Sequence, residues 1–471
     1  MCCLQPPGHS ILYDLLQIKL LTTRRKGQLI HSTPDLEQLS YLVENLVDRS
    51  VGIVRHVSQA PREPGAPDFF HYLAKAGNTL ALCDQKNSSF GSGTSSNRAS
   101  ALGKALGEAV ERYCSAIYNK EELPLTSFAE ASFPCIPPSD WALFSEKQYS
   151  QLGFRFSPFD RNIPLRWVQA TDLLQDTPCY VPAAMVFLPY SFNRENGEVP
   201  ITQTISTGLA CHGSRTKAIH SAICEVIERD AFTITWQARL GRPHIKVETL
   251  SDLNRDLVHR LERINSTVTL LNLTMDVGIP TILSVLHSHV PDSPALVFAA
   301  SADLDPEEAV RKSLEELAHT RRLAQLLKTN LSPCIPDENF GNIVNQDLHV
   351  HLYCDHKNTN LADFIFESRQ RIGFDEIENL ATGDPEINLW TLLEKVENVH
   401  HRVLVVDLTT PDVRESGLFV FRALIPGFHP LFMGHEIRAL GGTRLWQVPQ
   451  KLGYQGITKL TGDNPAPHPF P

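Results

Sequence analysis

Ala105-Leu106-Gly107-Glu108-Ala109-Val110-Glu111-Arg112 and, further on, Ala222-Ile223-Cys224-Glu225-Val226-Ile227-Glu228-Arg229 share one form, Ala-x-x-Glu-x-x-Glu-Arg. At about 100° per residue, the apolar residues of each stretch fall on one stripe of an α-helix. In the second stretch the stripe is Ala218, Ile219, Ala222, Ile223, Val226 and Ile227. Glu225 and Arg229 then lie at one edge of the stripe and Glu228 a step further round, and the first stretch places Glu108, Arg112 and Glu111 in the same way. Carboxylates at such an edge are partly desolvated. Two such helices facing each other would bring four carboxylates and two guanidinium groups together, an arrangement that repels itself unless a cation is present. Mg²⁺ suits it, because it takes hard oxygen ligands and shares them with phosphate. The arginines would hold phosphate oxygens or orient the carboxylates. Either helix alone is also readable as a solvated face, since i, i+4 Glu–Arg pairs decorate ordinary helices for about 0.2–0.5 kcal/mol. The complete pattern occurring twice favours the cation site.

Working outward, the first helix is expected from about residue 97 to 118. The second is expected from Ser214, a good N-cap, to near Gly241, with Pro243 just beyond. A third opens with Asp305-Pro306-Glu307-Glu308, an Asp cap with Pro at the first helical position, and should run to about Leu327. It carries Arg311-x-x-x-Glu315, alone no more than a surface pair. A further helix is expected over 35–47. Strands are expected at 51–54, 79–82, 181–188, 268–273, 281–286, 296–300, 403–408 and 419–424. Strands alternating with long helices give an α/β (mixed α+β) fold. The Pro/Gly run 61–67 reads as a loop, and so does the Gly/Ser-rich stretch 88–96, including Gly91-Ser92-Gly93. The end, Pro465-Ala466-Pro467-His468-Pro469-Phe470-Pro471, has proline at every second position and is expected as an extended, polyproline-like arm. The organisation expected is an N-terminal region over 1–70, a main domain over 71–460 and a Pro-rich tail over 461–471.

Composition narrows the classes. Among 471 residues, 43 Lys and Arg face 53 Asp and Glu, a net charge of -10 that argues against a nucleic-acid partner. No apolar run reaches the roughly 18 residues a membrane span needs, and residues 1–7 lack the basic and apolar segments of a secretory signal. The ten cysteines include no Cys-x-x-Cys pair, so zinc ribbons and redox pairs find no support, and reduced thiols in a cytoplasmic protein fit best. No Gly-x-x-x-x-Gly-Lys-Ser/Thr is present, so a nucleotide would have to bind without a P-loop.

At this point the chain resembles the YcaO family. The residues that carry the likeness are Ala105–Arg112, the lead-in Ile205-Ser206-Thr207-Gly208-Leu209-Ala210-Cys211-His212-Gly213 running into Ala218–Ala231, and Arg311-x-x-x-Glu315. The resemblance spans roughly residues 75 to 440. It implies a YcaO-type fold whose helices build a non-P-loop site for ATP and Mg²⁺. Glu108, Glu111, Glu225 and Glu228 would be the metal ligands, and Ser206, Arg112, Arg229, Arg311 and Glu315 would surround the nucleotide. The sequence departs from the family pattern at Ser92, where a lysine is frequent, and at Lys217, where an acidic residue is frequent.

The proline tail, the stretch Ile425–Pro430 and the segment Arg438–Pro449 resemble the azoline-forming cyclodehydratase branch. That branch makes thiazolines and oxazolines from Cys, Ser or Thr of a ribosomal precursor peptide by phosphorylating the backbone amide oxygen. The resemblance implies catalytic roles for Arg311, Glu315 and Pro471, whose terminal carboxylate would help transfer protons. Removing Pro467–Pro471 is accordingly expected to impair cyclisation more than folding. It further implies a separate leader-peptide-binding partner (a ubiquitin-activating-like or recognition-element protein), a flavin dehydrogenase acting on the product, and a homodimer. The alternatives are ATP-dependent backbone thioamidation or amidine formation, and a non-catalytic docking scaffold.

Overall fold

The computed structural model describes residues 36–63, 65–87, 90–263, 265–458 and 460–471. The helices of more than ten residues among them are α1 (Leu36–Leu46), α2 (Arg98–Cys114), α3 (Arg215–Gln237), α4 (Asp252–Glu262), α5 (Pro306–Asn330) and α6 (Pro385–Glu397). Three sheets accompany them. The first has the order β1-β2-β3 (Val54–Gln59, Phe70–Ala76, Phe90–Ser95). The second has the order β4-β5-β13-β14-β7 (Leu125–Ser127, Pro164–Asp172, Leu404–Asp407, Phe419–Leu424, Leu209–His212), with β6 (Thr177–Pro182) paired to β5. The third has the order β11-β10-β9-β8-β12 (Leu296–Ala302, Thr281–Ser288, Ser266–Asn272, His244–Ile245, Arg371–Ile372). The fold is α/β, as expected. Among the described residues no helix is long and apolar enough to cross a membrane.

Local chemistry starts the three long helices where expected. Asn97 and Ser214 accept from the amides of Ser100 and Lys217 at the heads of α2 and α3. At the head of α5 Asp305 accepts from Glu307, but Glu308 turns to Arg311 instead of closing a capping box. Helix α3 is the hub. Its first half lays an apolar stripe against β14, and from Asp230 to Gln237 every residue is buried. A helix surrounded on all sides belongs to the centre of the molecule. Between α3 and the last part of the chain, Arg444, 3% exposed, donates to both Asp230 and Asp276.

Several expectations are corrected. The strand expected at 51–54 begins only at Val54. Thr79–Ala81 forms a 3-10 turn, because the Asn78 side chain caps Leu80 and the Thr79 hydroxyl reaches the Gln85 carbonyl. The strand expected at 181–188 ends at Pro182 and gives way to a 3-10 turn over Ala183–Met185. The Gly/Ser stretch is not a loop where it is described: it contains edge strand β3, flattened against α2. A Cβ on Gly91 would stand 2.4 Å from the Ala109 nitrogen, and one on Gly93 2.1 Å from the Ala101 carbonyl oxygen. These glycines let backbone meet backbone. Gly93→Ala is therefore expected to cost about 3 kcal/mol in a urea unfolding titration, because sheet and helix must part to admit the methyl group.

The expected division at 70/71 falls inside β2, between Phe70 and His71, and β2 pairs with β1 and shares one apolar cluster with it, α1 and α2. Asp35, expected to open α1, lies outside the described residues, as do Cys2 and Cys3. The tail is extended but is no free arm. Ala466 and Phe470 are buried in the cluster formed by Phe232, Trp236 and Tyr353, and Phe470 is 1% exposed.

Candidate active site

Helices α2, α3 and α5 and strand β3 surround one cavity of about 2000 Å³. Glu108, Glu111, Glu225 and Glu228 reach it from helices, and three of them are met by a backbone amide from a neighbouring strand or its lead-in. Glu108 accepts from the Ser92 amide (2.7 Å) and hydroxyl (3.0 Å) on the free edge of β3. Glu111 accepts from the Cys211 amide of β7 at 2.8 Å, and Glu225 from the Gly208 amide in the turn before β7 at 3.1 Å. The lead-in to α3 thus grips one carboxylate from each helix. Gly208 has φ +85°, and a Cβ there would stand 2.3 Å from the Ala423 carbonyl oxygen, so glycine is required at this turn.

Two arginines partly balance the carboxylates. Arg112 pairs with Glu108 at 3.0 Å, and Arg229 with Glu228 at 3.2 Å and Glu225 at 3.7 Å. The compensation is incomplete. Burial pushes Glu111 and Glu228 up to about 8, against the pull of Arg112 and Arg229 respectively, and burial raises Glu225 as well.

Helix α5 supplies the facing wall. Glu315, 1% exposed, accepts from Ser95 Oγ (2.6 Å), Lys104 Nζ (2.7 Å) and Arg311 Nη1 (2.7 Å). Burial alone would raise its pKa, but Lys104 and Arg311 hold it below the usual carboxylate range. Arg311 is shared with Glu308 at 2.6 Å. The proline-rich tail joins the cavity wall: Arg229 donates to the Pro471 main-chain oxygen at 3.2 Å and its guanidinium lies 4.5 Å from the centre of the Phe470 ring. Ser206 lines the same cavity, as do Arg112, Arg311 and Pro471. All the sequence-expected site residues therefore surround one space.

Sequence reasoning noted Ser92 only as a departure from the family pattern, and it missed Lys104, Glu316 and His319 in the cavity wall and Arg422, whose charge reaches Glu225. Ser92 and Lys104 sit beside the recognised pattern. Glu316 follows the recognised Glu315 directly. Arg422 carried no signal, because it lies in an apolar strand; it is 3% exposed, burial lowers it to about 10, and its Nε and Nη1 have no hydrogen-bond partner among the described residues.

Comparison with known proteins fits this geometry. The family model described as YcaO cyclodehydratase, ATP- and Mg²⁺-binding, matches residues 91–429. The chain belongs to the YcaO family. An uncharacterised protein of Methanothermobacter thermautotrophicus is 32% identical over 294 residues, covering 59% of this chain and 71% of its own length. A solved structure of a heterocyclase in complex with substrate and cofactor superposes with a TM-score of 0.75 at 22% identity, over 96% of this chain and 60% of that one. The YcaO protein of Methanopyrus kandleri, bound with AMPPCP and Mg²⁺, superposes with a TM-score of 0.61 at 21% identity, over 83% of this chain and 90% of that one. The chain thus spans well under two thirds of the heterocyclase it resembles, and these two likenesses show the fold.

As a YcaO protein this chain belongs to a family described as binding ATP and Mg²⁺. Its own residues fit them. Two carboxylates are pushed up to about 8 in the cavity wall. Arg112 Nη1 is buried without a hydrogen-bond partner among the described residues. The first calls for a cation, the second for an anion, and a magnesium-bound triphosphate supplies both. Among the described residues no three His, Cys, Asp or Glu side chains already stand at ligand spacing.

Proposed function

We propose that this YcaO protein cyclodehydrates Cys, Ser or Thr residues of a ribosomally made precursor peptide to thiazolines or oxazolines. The observation that carries the reading is the convergence of Glu108, Glu111, Glu225 and Glu228 on one cavity closed by Pro471. The side chain of the modified residue would attack the preceding carbonyl carbon. The oxygen so formed would take the γ-phosphoryl group of ATP, and its loss as phosphate would leave the five-membered ring. Mg²⁺ held by the four glutamates would stabilise charge on the transferring group. Arg112, Arg229 and Arg311 would bind phosphate oxygens, with Glu315 fixing Arg311 and Ser206 beside the nucleotide. The Pro471 carboxylate, placed by Arg229, would help move protons. Catalysis is then chiefly positioning and electrostatics.

The organisation that goes with this reading is a main domain over 71–460 preceded by residues 1–70 and closed by the tail 461–471, acting as a cytoplasmic homodimer. A separate leader-peptide-binding protein would present the substrate, and a flavin dehydrogenase would oxidise the product. The fold it shares with a heterocyclase solved with its substrate supports a peptide occupant for the cavity.

Mass spectrometry of the precursor peptide after incubation with ATP and Mg²⁺ tests the reading. The expected product has lost one water mass per ring. Exchange of oxygen for sulfur would replace the proposal with thioamidation, and an unmodified peptide without phosphate release would leave a scaffold.

A further inference from the structure

Helix α5 changes character along the cavity. It presents Glu315 and Glu316, then His319 one turn on, then Leu323 and Leu326. Leu326 is 43% exposed, and the lining also includes Leu73 at 43%, Phe90 at 60% and Leu253 at 41%. The cavity wall thus combines charged side chains, suited to a nucleotide, with exposed apolar ones, suited to peptide side chains. Along α5, His319 lies between the two kinds.

Its hydrogen bonding is specific. The Nδ1 atom lies 3.2 Å from Glu316 Oε1. Although burial opposes its charge, Glu316 is held down to about 2, chiefly by His319, so it is an ionised acceptor and Nδ1 carries the proton. The neutral imidazole then has its lone pair on Nε2. The charged groups whose fields reach the pair are Lys104 and Glu108 on α2, Glu228 and Arg229 on α3 and His71 on β2. Burial lowers the pKa of His319, but Glu316 outweighs it and the net shift is upward.

Resting on the cyclodehydratase reading, we propose that the Glu316–His319 pair is the general base of ring closure. As the thiol or hydroxyl of the substrate attacks the carbonyl carbon, the new bond to carbon forms and the carbonyl π pair moves to oxygen. The thiol or hydroxyl proton passes to His319 Nε2. The oxygen takes the γ-phosphoryl group and ADP leaves. The carbon–oxygen bond then breaks with its electron pair on phosphate, the amide nitrogen forms the C=N bond, and the N–H proton passes by way of the Pro471 carboxylate to the phosphate. His319 returns its proton to water in the cavity. Glu316 is a positioning residue that fixes the tautomer.

The test uses the full chain with ATP, Mg²⁺ and synthetic peptides carrying a single Cys, Ser or Thr after glycine, supplied in excess. His319→Asn is expected to slow ring formation by about 10²-fold or more while AMPPCP affinity stays within about threefold. The wild-type rate should rise with pH along an acidic limb that His319→Asn abolishes. Glu316→Gln should move that limb to lower pH, because the carboxylate that favours protonated imidazole is gone. Nitrogen NMR of labelled histidine should show His319 as the Nδ1–H tautomer. A His319→Asn enzyme with wild-type rate and limb, or an Nε2–H tautomer, would overturn the base. A wild-type chain that consumes ATP without closing any ring would overturn the cyclodehydratase reading itself, and the base with it.

Discussion

Glu225→Gln is expected to stop ring formation, lowering its rate by about 10³-fold, while the protein folds as well as before. The amide oxygen of glutamine still accepts from the Gly208 amide, so the turn before β7 keeps its partner. What is lost is one negative charge facing the cavity. Burial already opposes that charge, so removing it relieves the fold and costs only function. Thermal melting followed by circular dichroism should show an unchanged or higher midpoint. Wild-type ring formation in this variant would refute the proposed metal assignment.

The same imbalance makes metal-free stability depend on pH. Glu111 and Glu228 have folded-state pKa values of about 8, above the roughly 4.3 of an unfolded glutamate. The folded state holds their protons more tightly, so their stabilising contribution is complete below about pH 4 and is lost as pH rises towards 8. After discounting for the wet cavity, the loss is about 1–2 kcal/mol for each carboxylate.

Deleting Pro467–Pro471 is expected to destabilise the protein by about 5 kcal/mol or more, in a denaturant titration, before any catalytic effect is reached. This reverses the expectation drawn from sequence. Phe470 packs 4.4 Å from Phe232, ring centre to ring centre. The deletion also removes the Pro467 carbonyl that accepts from Tyr353 and the His468 carbonyl that accepts from His349 at 2.8 Å. Both donors would be left buried without partners. Deleting Pro471 alone separates function from folding. Phe470 remains to fill its pocket, so the melting midpoint should hold while ring formation falls about 10²-fold. Equal activity in the Pro471-deleted chain would remove the terminal carboxylate from the mechanism.

The sequence carried the helices and the carboxylates well, because both depend on local chemistry. Ser214 and Asp305 cap where a cap was expected, Asn97 caps near the expected start of its helix, and a helix face follows from spacing alone. Strands β9, β10 and β11 of the third sheet were legible as apolar runs, whereas the two-residue strands β8 and β12 were not. Strand β3 was not, because its glycines report a contact with α2 that lies outside any local window. The tail was legible as extended but not as buried. Alternating prolines fix backbone shape, whereas burial depends on the pocket that Phe232, Trp236 and Tyr353 form from distant elements. Arg422 and His319 became visible only when the cavity brought strands and helices together.

The central claim is that acidic edges of α2 and α3 hold the cation that carries the nucleotide. Calorimetric titration of AMPPCP, with Mg²⁺ and with EDTA, into the wild-type chain and the double variant Glu111→Gln, Glu228→Gln tests it most directly. Binding in the wild-type chain should require Mg²⁺ and should vanish in the double variant. Equal binding in EDTA, or undiminished Mg²⁺-dependent binding in the double variant, would contradict the account.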